Sequence, residues 1–395
     1  MIAKVVTRIA AVAAVLILAT TSSEVLGAEV VNALVVLPEA TEAYDDASSE
    51  KIILASYCSS NKSDCSSDKS DCDCESPCEG DVGCCSRRGC YSCYRGPQYY
   101  AMGEFVLYDR NNRSTRTPLL EDNSLNPLLF TDDLDFDYEP GVRVRLGRKN
   151  GPCSHCDACE IEYLGIFDWD ASATLVDSNN LNLPGALGSG VVNGIVTAEE
   201  VRINYESSLH SIEANCVKCY CDDGCRRVEL LCGFRYLRLD ENLNIASNNV
   251  NQVDAIYDID VDNNLYGFQV GVRARGQCSC RWGWEAVGKA GSYGNDARQS
   301  QFIIDNLPGT PFNLRPPTGA SEGSVAFVGE LSLTPMYKLN EIWTLRGGYN
   351  LLWIEGVALA PDQLDFTDTP TSGTSIDTGS GVFAHGFSAG LEARF

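Results

Sequence analysis

The sequence predicts an all-β protein, an antiparallel up-and-down transmembrane β-barrel of about ten strands, preceded by a Cys-rich irregular segment; eight or twelve strands are the alternatives. Three observations carry this reading. Ten segments alternate apolar and polar residues with the period of two that a strand imposes. Most are close to the roughly 9 to 11 residues that a tilted strand needs to cross a bilayer. The connections between them alternate long and short, as in barrels with short periplasmic turns and long outer loops. Composition agrees, since 35 Gly, 17 Tyr and 13 Phe against 3 Met and 3 His favour strands and turns. With 54 acidic and 30 basic residues the net charge is −24, which repels phosphate backbones and excludes nucleic-acid binding.

Taken in order, Lys4 and Arg8 precede an apolar run over residues 9–19, too short to span a bilayer and suited to a secretory signal. Cleavage is expected after Gly27, so residues 1–27 are read as signal peptide, 28–97 as an acidic linker with a Cys-rich periplasmic segment, and 98–395 as the barrel. The tract 58–93 is polar and cannot build a hydrophobic core. It holds Cys58, Cys65, Cys72, Cys74, Cys78, Cys84, Cys85, Cys90 and Cys93.

The alternating segments are 98–109, 141–147, 160–171, 200–214, 227–237, 265–275, 280–291, 324–335, 342–355 and 383–395. In 265–275, Tyr266, Phe268, Val270, Val272 and Ala274 oppose Gly267, Gln269, Gly271, Arg273 and Arg275. In 160–171 one parity carries Ile161, Tyr163, Phe167 and Trp169. A soluble sandwich also alternates. Its strands are shorter, and polar faces of Arg, Glu and Gly suit a charged lumen instead. Arg143, Arg145, Arg235, Arg273, Glu285, Lys289, Glu330, Arg346, Glu392 and Arg394 are read as lumen-lining. Tyr99, Tyr100, Trp282, Trp284, Tyr337 and Trp343 sit near segment ends, where a headgroup girdle is expected. Phe395 ends the last segment in a manner that resembles the signal read by the barrel assembly machinery of bacterial outer-membrane proteins.

Counting crossings puts the long connections 110–139, 172–199, 240–262, 292–323 and 356–382 outside, and the short ones 148–159, 215–226, 276–280 and 336–341 on the periplasmic side. The short turns hold Cys153, Cys156 and Cys159, then Cys216, Cys219, Cys221 and Cys225, then Cys278 and Cys280. Eighteen of the 19 cysteines therefore share the periplasmic side, where disulfides are expected. Cys232, mid-segment on an apolar parity, is expected to face lipid as a thiol. The rival for the turns is a thiolate metal site from Cys153, His155, Cys156 and Cys159 with Cys216 and Cys219.

No nucleophile elbow, zinc-protease motif or phosphate loop occurs. No catalytic, cofactor or metal residue is assigned, and the protein is expected not to be an enzyme. His210, on one parity with Arg202, Asn204 and Glu206, is the one candidate for a hydrolase at the lumen mouth. His385 lies among Phe383 and Phe387 and suits the girdle. Asp254, Asp258, Asp260 and Asp262 are read as a solvated acidic loop.

Several strings carry a family likeness: Gly233-Phe-Arg-Tyr-Leu followed by Asp240-Glu, Tyr266-Gly-Phe-Gln-Val-Gly, Trp343-Thr-Leu-Arg-Gly-Gly-Tyr-Asn-Leu-Leu-Trp, Gly356-Val-Ala-Leu-Ala-Pro-Asp-Gln and Gly390-Leu-Glu-Ala-Arg-Phe. Over about residues 98–395 the chain resembles planctomycete outer-membrane β-barrel proteins of uncharacterised function. The resemblance implies a barrel in the bacterial outer membrane and supplies no catalytic or ligand residue. The functional expectation is a structural or porin-like barrel with a disulfide-rich periplasmic tail. Its expected partners are outer-membrane lipid, the assembly machinery and a periplasmic or cell-wall component; a hydrolase and an anchoring module are the alternatives.

Overall fold

The computed structural model describes residues 99–150, 156–188, 196–222, 225–249, 252–306 and 312–395. The signal sequence, the linker and the tract 58–93 lie outside the described residues. Ten strands close into one antiparallel barrel. They are β1 (Tyr99–Asn111), β4 (Glu139–Lys149), β5 (Ala158–Leu181), β6 (Ala198–Asp222), β7 (Arg226–Asn249), β8 (Gln252–Gln277), β9 (Trp282–Asn306), β10 (Phe312–Lys338), β11 (Trp343–Val357) and β12 (Ser380–Arg394). Each pairs with its neighbour in the chain, and β1 closes on β12 with Tyr100 opposite Arg394. A small hairpin of β2 (Pro118–Glu121) and β3 (Pro127–Phe130) sits in the first outer connection.

The strands are far from equal. β5 to β10 run 24–27 residues, against 11–15 for β1, β4, β11 and β12. At about 3.3 Å per residue the long ones reach roughly 80 Å, more than twice what a bilayer requires. The expected outer loops 240–262 and 292–323 are therefore largely strand, and Asp258, Asp260 and Asp262 lie on β8, not in a loop.

What keeps these strands continuous is a swap of polarity between their two faces. Along the inner part of β8, Tyr266, Phe268 and Val270 face outward, 51%, 75% and 63% exposed, while Gln269 and Arg273 are buried inside. Beyond Leu265 the order reverses, with Leu265, Val261, Ile259 and Tyr257 filling the interior and Asn264, Asp262 and Asp260 outside. β7 does the same, from Arg235 inside and Phe234 outside to Leu237, Leu239 and Leu243 inside and Arg238 outside. The inner half is thus a membrane barrel, apolar outside and polar inside. The outer half is built like a water-soluble barrel with an apolar core.

Two local features re-aim aromatic residues. A register shift between Ile166 and Trp169 of β5 turns Trp169 inward, where it is fully buried, so it does not share the outward face of Phe167. Tyr100 also faces the lumen and not the girdle: it lies over Gly147 of β4, where an added Cβ would come within 2.0 Å of its ring. Tyr99, Trp282 and Trp343 are exposed around the same end.

Because the two halves face different solvents, Val270→Lys is expected to destabilise the barrel by about 2 to 4 kcal/mol. Asp260→Lys, on the same strand and the same outward face, should shift stability by less than about 0.5 kcal/mol. Reversible urea unfolding in lipid vesicles measures both.

Candidate functional site

The inner half of the lumen is filled by ions. Glu104, Glu160, Glu162, Glu213, Glu229, Glu285, Glu330 and Glu392 meet Arg143, Arg145, Arg235, Arg273, Lys289 and Arg346, all buried, with Arg275 beside them. The groups interlock. Glu285 contacts Arg346 and Arg275 at 2.6 Å each, and Glu330 contacts Arg143, Arg235 and Lys289 at 3.0–3.1 Å. Arg273 holds Glu160 through two bonds of 2.7 Å, and the Tyr100 hydroxyl donates to the same carboxylate. Arg346 bridges Glu104, Glu285 and Glu392 at 2.6–2.9 Å. All ten residues read from the sequence as lumen-lining lie on inward faces; Arg394, side chain 36% exposed, closes the rim against Glu392. The sequence reading did not assign Glu104, Glu160, Glu162, Glu213 or Glu229, whose pairing makes the network neutral enough to bury.

The outer half is closed by apolar packing and by a strap. At the end of β11 the chain turns inward at Gly356, whose φ of +86° is strained for any residue with a side chain; a Cβ there would also meet the Val325 carbonyl at 2.5 Å. Asn263 then grips Ala358 by both backbone groups at 2.8 Å. Gln299 donates to the carbonyls of Gly373 and Ser375, and Arg315 to those of Asp365 and Thr367. Glu241 accepts the Ala360 N–H while paired with Arg110, both side chains fully buried, and the Arg110 guanidinium lies 4.9 Å from the Phe136 ring centroid. These inward amides and ions satisfy the strap's backbone where water cannot.

Within the strap, burial acts to raise the Asp365 pKa. Hydrogen bonds from the Thr367 hydroxyl and N–H and from the Gly373 N–H, with Arg315 near, outweigh it and hold the carboxyl below its ordinary range.

At the end where β1 begins and β12 finishes a vestibule of about 620 Å³ remains, lined among others by Tyr100, Lys149, Cys219, Arg226, Arg227 and Lys338. Below it the chain enters the barrel, with Tyr99 and Phe395 exchanging backbone hydrogen bonds of 2.9 Å.

Two sequence expectations about the site need correction. His210 faces outward, not into the lumen: its Nδ1 lies 3.0 Å from the Tyr163 hydroxyl and its ring 5.8 Å from that of Phe167. The polarity swap explains the error, because the parity that is polar at Arg202, Asn204 and Glu206 becomes the apolar outward face at Ile212. Cys156 pairs with Cys216, Cα atoms 5.5 Å apart, and Cys221, Cys225 and Cys280 are also disulfide-bonded, but Cys159, Cys219 and Cys278 carry thiols. Cys159 lies opposite Cys216 in register, yet the disulfide goes to the turn residue Cys156, leaving Cys159 exposed. Cys232 is an exposed thiol on the outward face of β7, and His385 sits outward with its Nδ1 3.1 Å from the Tyr349 hydroxyl. Among the described residues no group of three or more His, Cys, Asp and Glu could hold a metal, and Cys153 and His155 lie outside them.

A family model described as "Putative beta barrel porin-7 (BBP7)" matches residues 119–306, from the outer hairpin through β9. No curated protein matches the chain in sequence. Among solved structures, the outer membrane protease OmpT from Escherichia coli is 10% identical, with 76% of this chain and 98% of that chain covered and a TM-score of 0.38. A Pseudomonas aeruginosa FadL homologue is 8% identical, covering 76% and 91%, with a TM-score of 0.24. The P. putida toluene transporter TodX is 10% identical, covering 76% and 90%, with a TM-score of 0.20.

Breaking one ion of the network leaves a buried charge, so Arg273→Met is expected to cost about 3 to 5 kcal/mol, with much of that recovered when Glu160→Gln is added. Arg238→Met, removing the exposed ion pairs to Asp240 and Asp262 on the outer surface, should cost less than about 1 kcal/mol. Urea midpoints in detergent micelles compare the three. Because the folded Asp365 pKa is depressed, its contribution is complete above the unfolded carboxylate value, near 3.9, and is lost as pH falls through the folded value. Proteolysis within residues 365–374 by an acid-active protease is therefore expected to stay slow down to about pH 4 and to accelerate below it; Asp365→Asn should be cut faster already at neutral pH.

Proposed function

We propose that this protein is a closed outer-membrane barrel with a structural role, holding its N-terminal Cys-rich segment at the periplasmic face of the membrane. One observation carries the reading: among the described residues, interlocked ion pairs occupy the inner half of the lumen and an apolar core with a strap occupies its outer half. A porin for small polar solutes needs a continuous wet channel. The family name includes the word porin, and the outward belt of Val144, Leu146, Ile161, Phe268 and Leu345 supports a lipid setting, but the interior favours a plugged barrel over a conduit. Outer-membrane lipid and the assembly machinery, engaged through the strand that ends at Phe395, are the partners that this reading implies. His210, the histidine weighed for a hydrolase at the lumen mouth, faces outward.

Liposome swelling tests the proposal. Vesicles carrying the folded protein should swell in isotonic small sugars or amino acids no faster than protein-free vesicles. Swelling that scales with protein content and falls with solute size would overturn the closed-barrel reading. Heat-modifiable gel mobility of the same sample verifies that the barrel is folded.

A further inference from the structure

The vestibule has a free cysteine and several cations in its wall. Cys219 lies half-buried in its wall with a free thiol, beside Lys149, Arg226 and Arg227. The lining carries seven basic and five acidic residues in a protein whose net charge is −24, so this cup is locally cationic. Residues 58–97 have seven acidic and five basic residues, a net charge of −2. Tyr100 lines the same vestibule, and Cys93 precedes it by seven residues, a span of at most about 25 Å. Cysteine parity adds an independent constraint. The tract 58–93 holds nine cysteines and the periplasmic connections hold nine, with Cys156 and Cys216 joined to each other. Both sets are odd, so oxidation of all of them forces at least one bridge between tract and barrel; of the three cysteines that line the cup, Cys225 and Cys280 are already bonded and Cys219 is the free thiol.

We propose that the Cys-rich segment, residues 58–97, docks in the periplasmic vestibule and is locked there by a disulfide between one of its cysteines and Cys219. This rests on the proposed sidedness, which places the vestibule in an oxidising compartment. The two thiols give up two protons and two electrons to a disulfide oxidant, which leaves as two thiols while the new S–S bond forms. Opposite charge holds the segment over the cup, and the bond makes the docking permanent. Cys159 and Cys278 are exposed on the rim and do not line the cup.

The test uses the full mature chain, folded in detergent under a glutathione redox buffer. Trypsin cuts after Arg95, which separates segment from barrel in sequence. Without reductant, mass spectrometry should find a tract peptide linked to the peptide containing Cys219, and the barrel band should keep the added mass until reductant releases it. In Cys219→Ser that linked peptide should be lost while heat-modifiable mobility stays as in wild type. Release of the whole tract without reductant, or recovery of Cys219 as a free thiol in the oxidised wild-type protein, overturns the proposal; the wild-type map decides even if the variant misfolds. Swelling of protein-loaded liposomes would overturn the closed-barrel reading and leave this map unchanged, so the two fail separately.

Discussion

The buried ion network in the inner half of the lumen is the constraint on which the rest depends. A closed sheet in lipid must present apolar side chains outward, and strand alternation then forces every second residue into the interior. Ten strands leave too much room for glycines alone and, with polar residues turned inward, demand full pairing. Glu285 and Glu330 meet this by each contacting several cations, and Arg346 by bridging three carboxylates. Removing any one group strands its partners, which makes the network a condition of folding.

Once the strands leave the lipid, the same alternation is reused with the faces exchanged. Leu237, Leu239 and Leu243 take the inward positions that Arg235 and Glu229 hold below, and the six long strands gain an apolar core of their own. The strap after Gly356 completes that core. Its backbone is satisfied by Asn263, Gln299, Arg315 and Glu241, polar residues set singly among apolar ones. The result is an asymmetric barrel, with an apolar core and strap at one end and a cup at the other.

Much of this was legible in the sequence, for a physical reason. Period-two alternation with Arg and Glu on one face is hard to mistake in Val142 to Leu146 or in Tyr266 to Ala274, and it located all ten barrel strands. Their length was not legible. Where polarity exchanges between faces, as at Leu265 and Tyr266, a run of Asp and Asn on one parity imitates a loop. The segment 200–214 failed for the same reason: its even parity is polar at Arg202 to Glu206 and apolar from Ile212, which sent His210 to the lumen and hid Glu213, whose inward side chain holds Lys289 at 2.9 Å. A signal existed in the odd parity, where Ile203, Tyr205 and Leu209 give way to Ser211 and Glu213. Trp169 was misplaced by a bulge, which no alternation count registers. Tyr100 turned inward because Gly147 leaves room across the strand pair, a contact that appears only once the register is known.

The central claim is that charge compensation closes the lumen to ions as well as to solutes, and single-channel recording of the folded protein in a planar lipid bilayer tests it most directly. The account predicts a baseline without unitary steps at moderate voltage in molar potassium chloride. Large, steady conductance steps from the wild-type protein would contradict it, because ions cannot pass a lumen in which Glu285, Glu330 and Arg346 hold the contacts described.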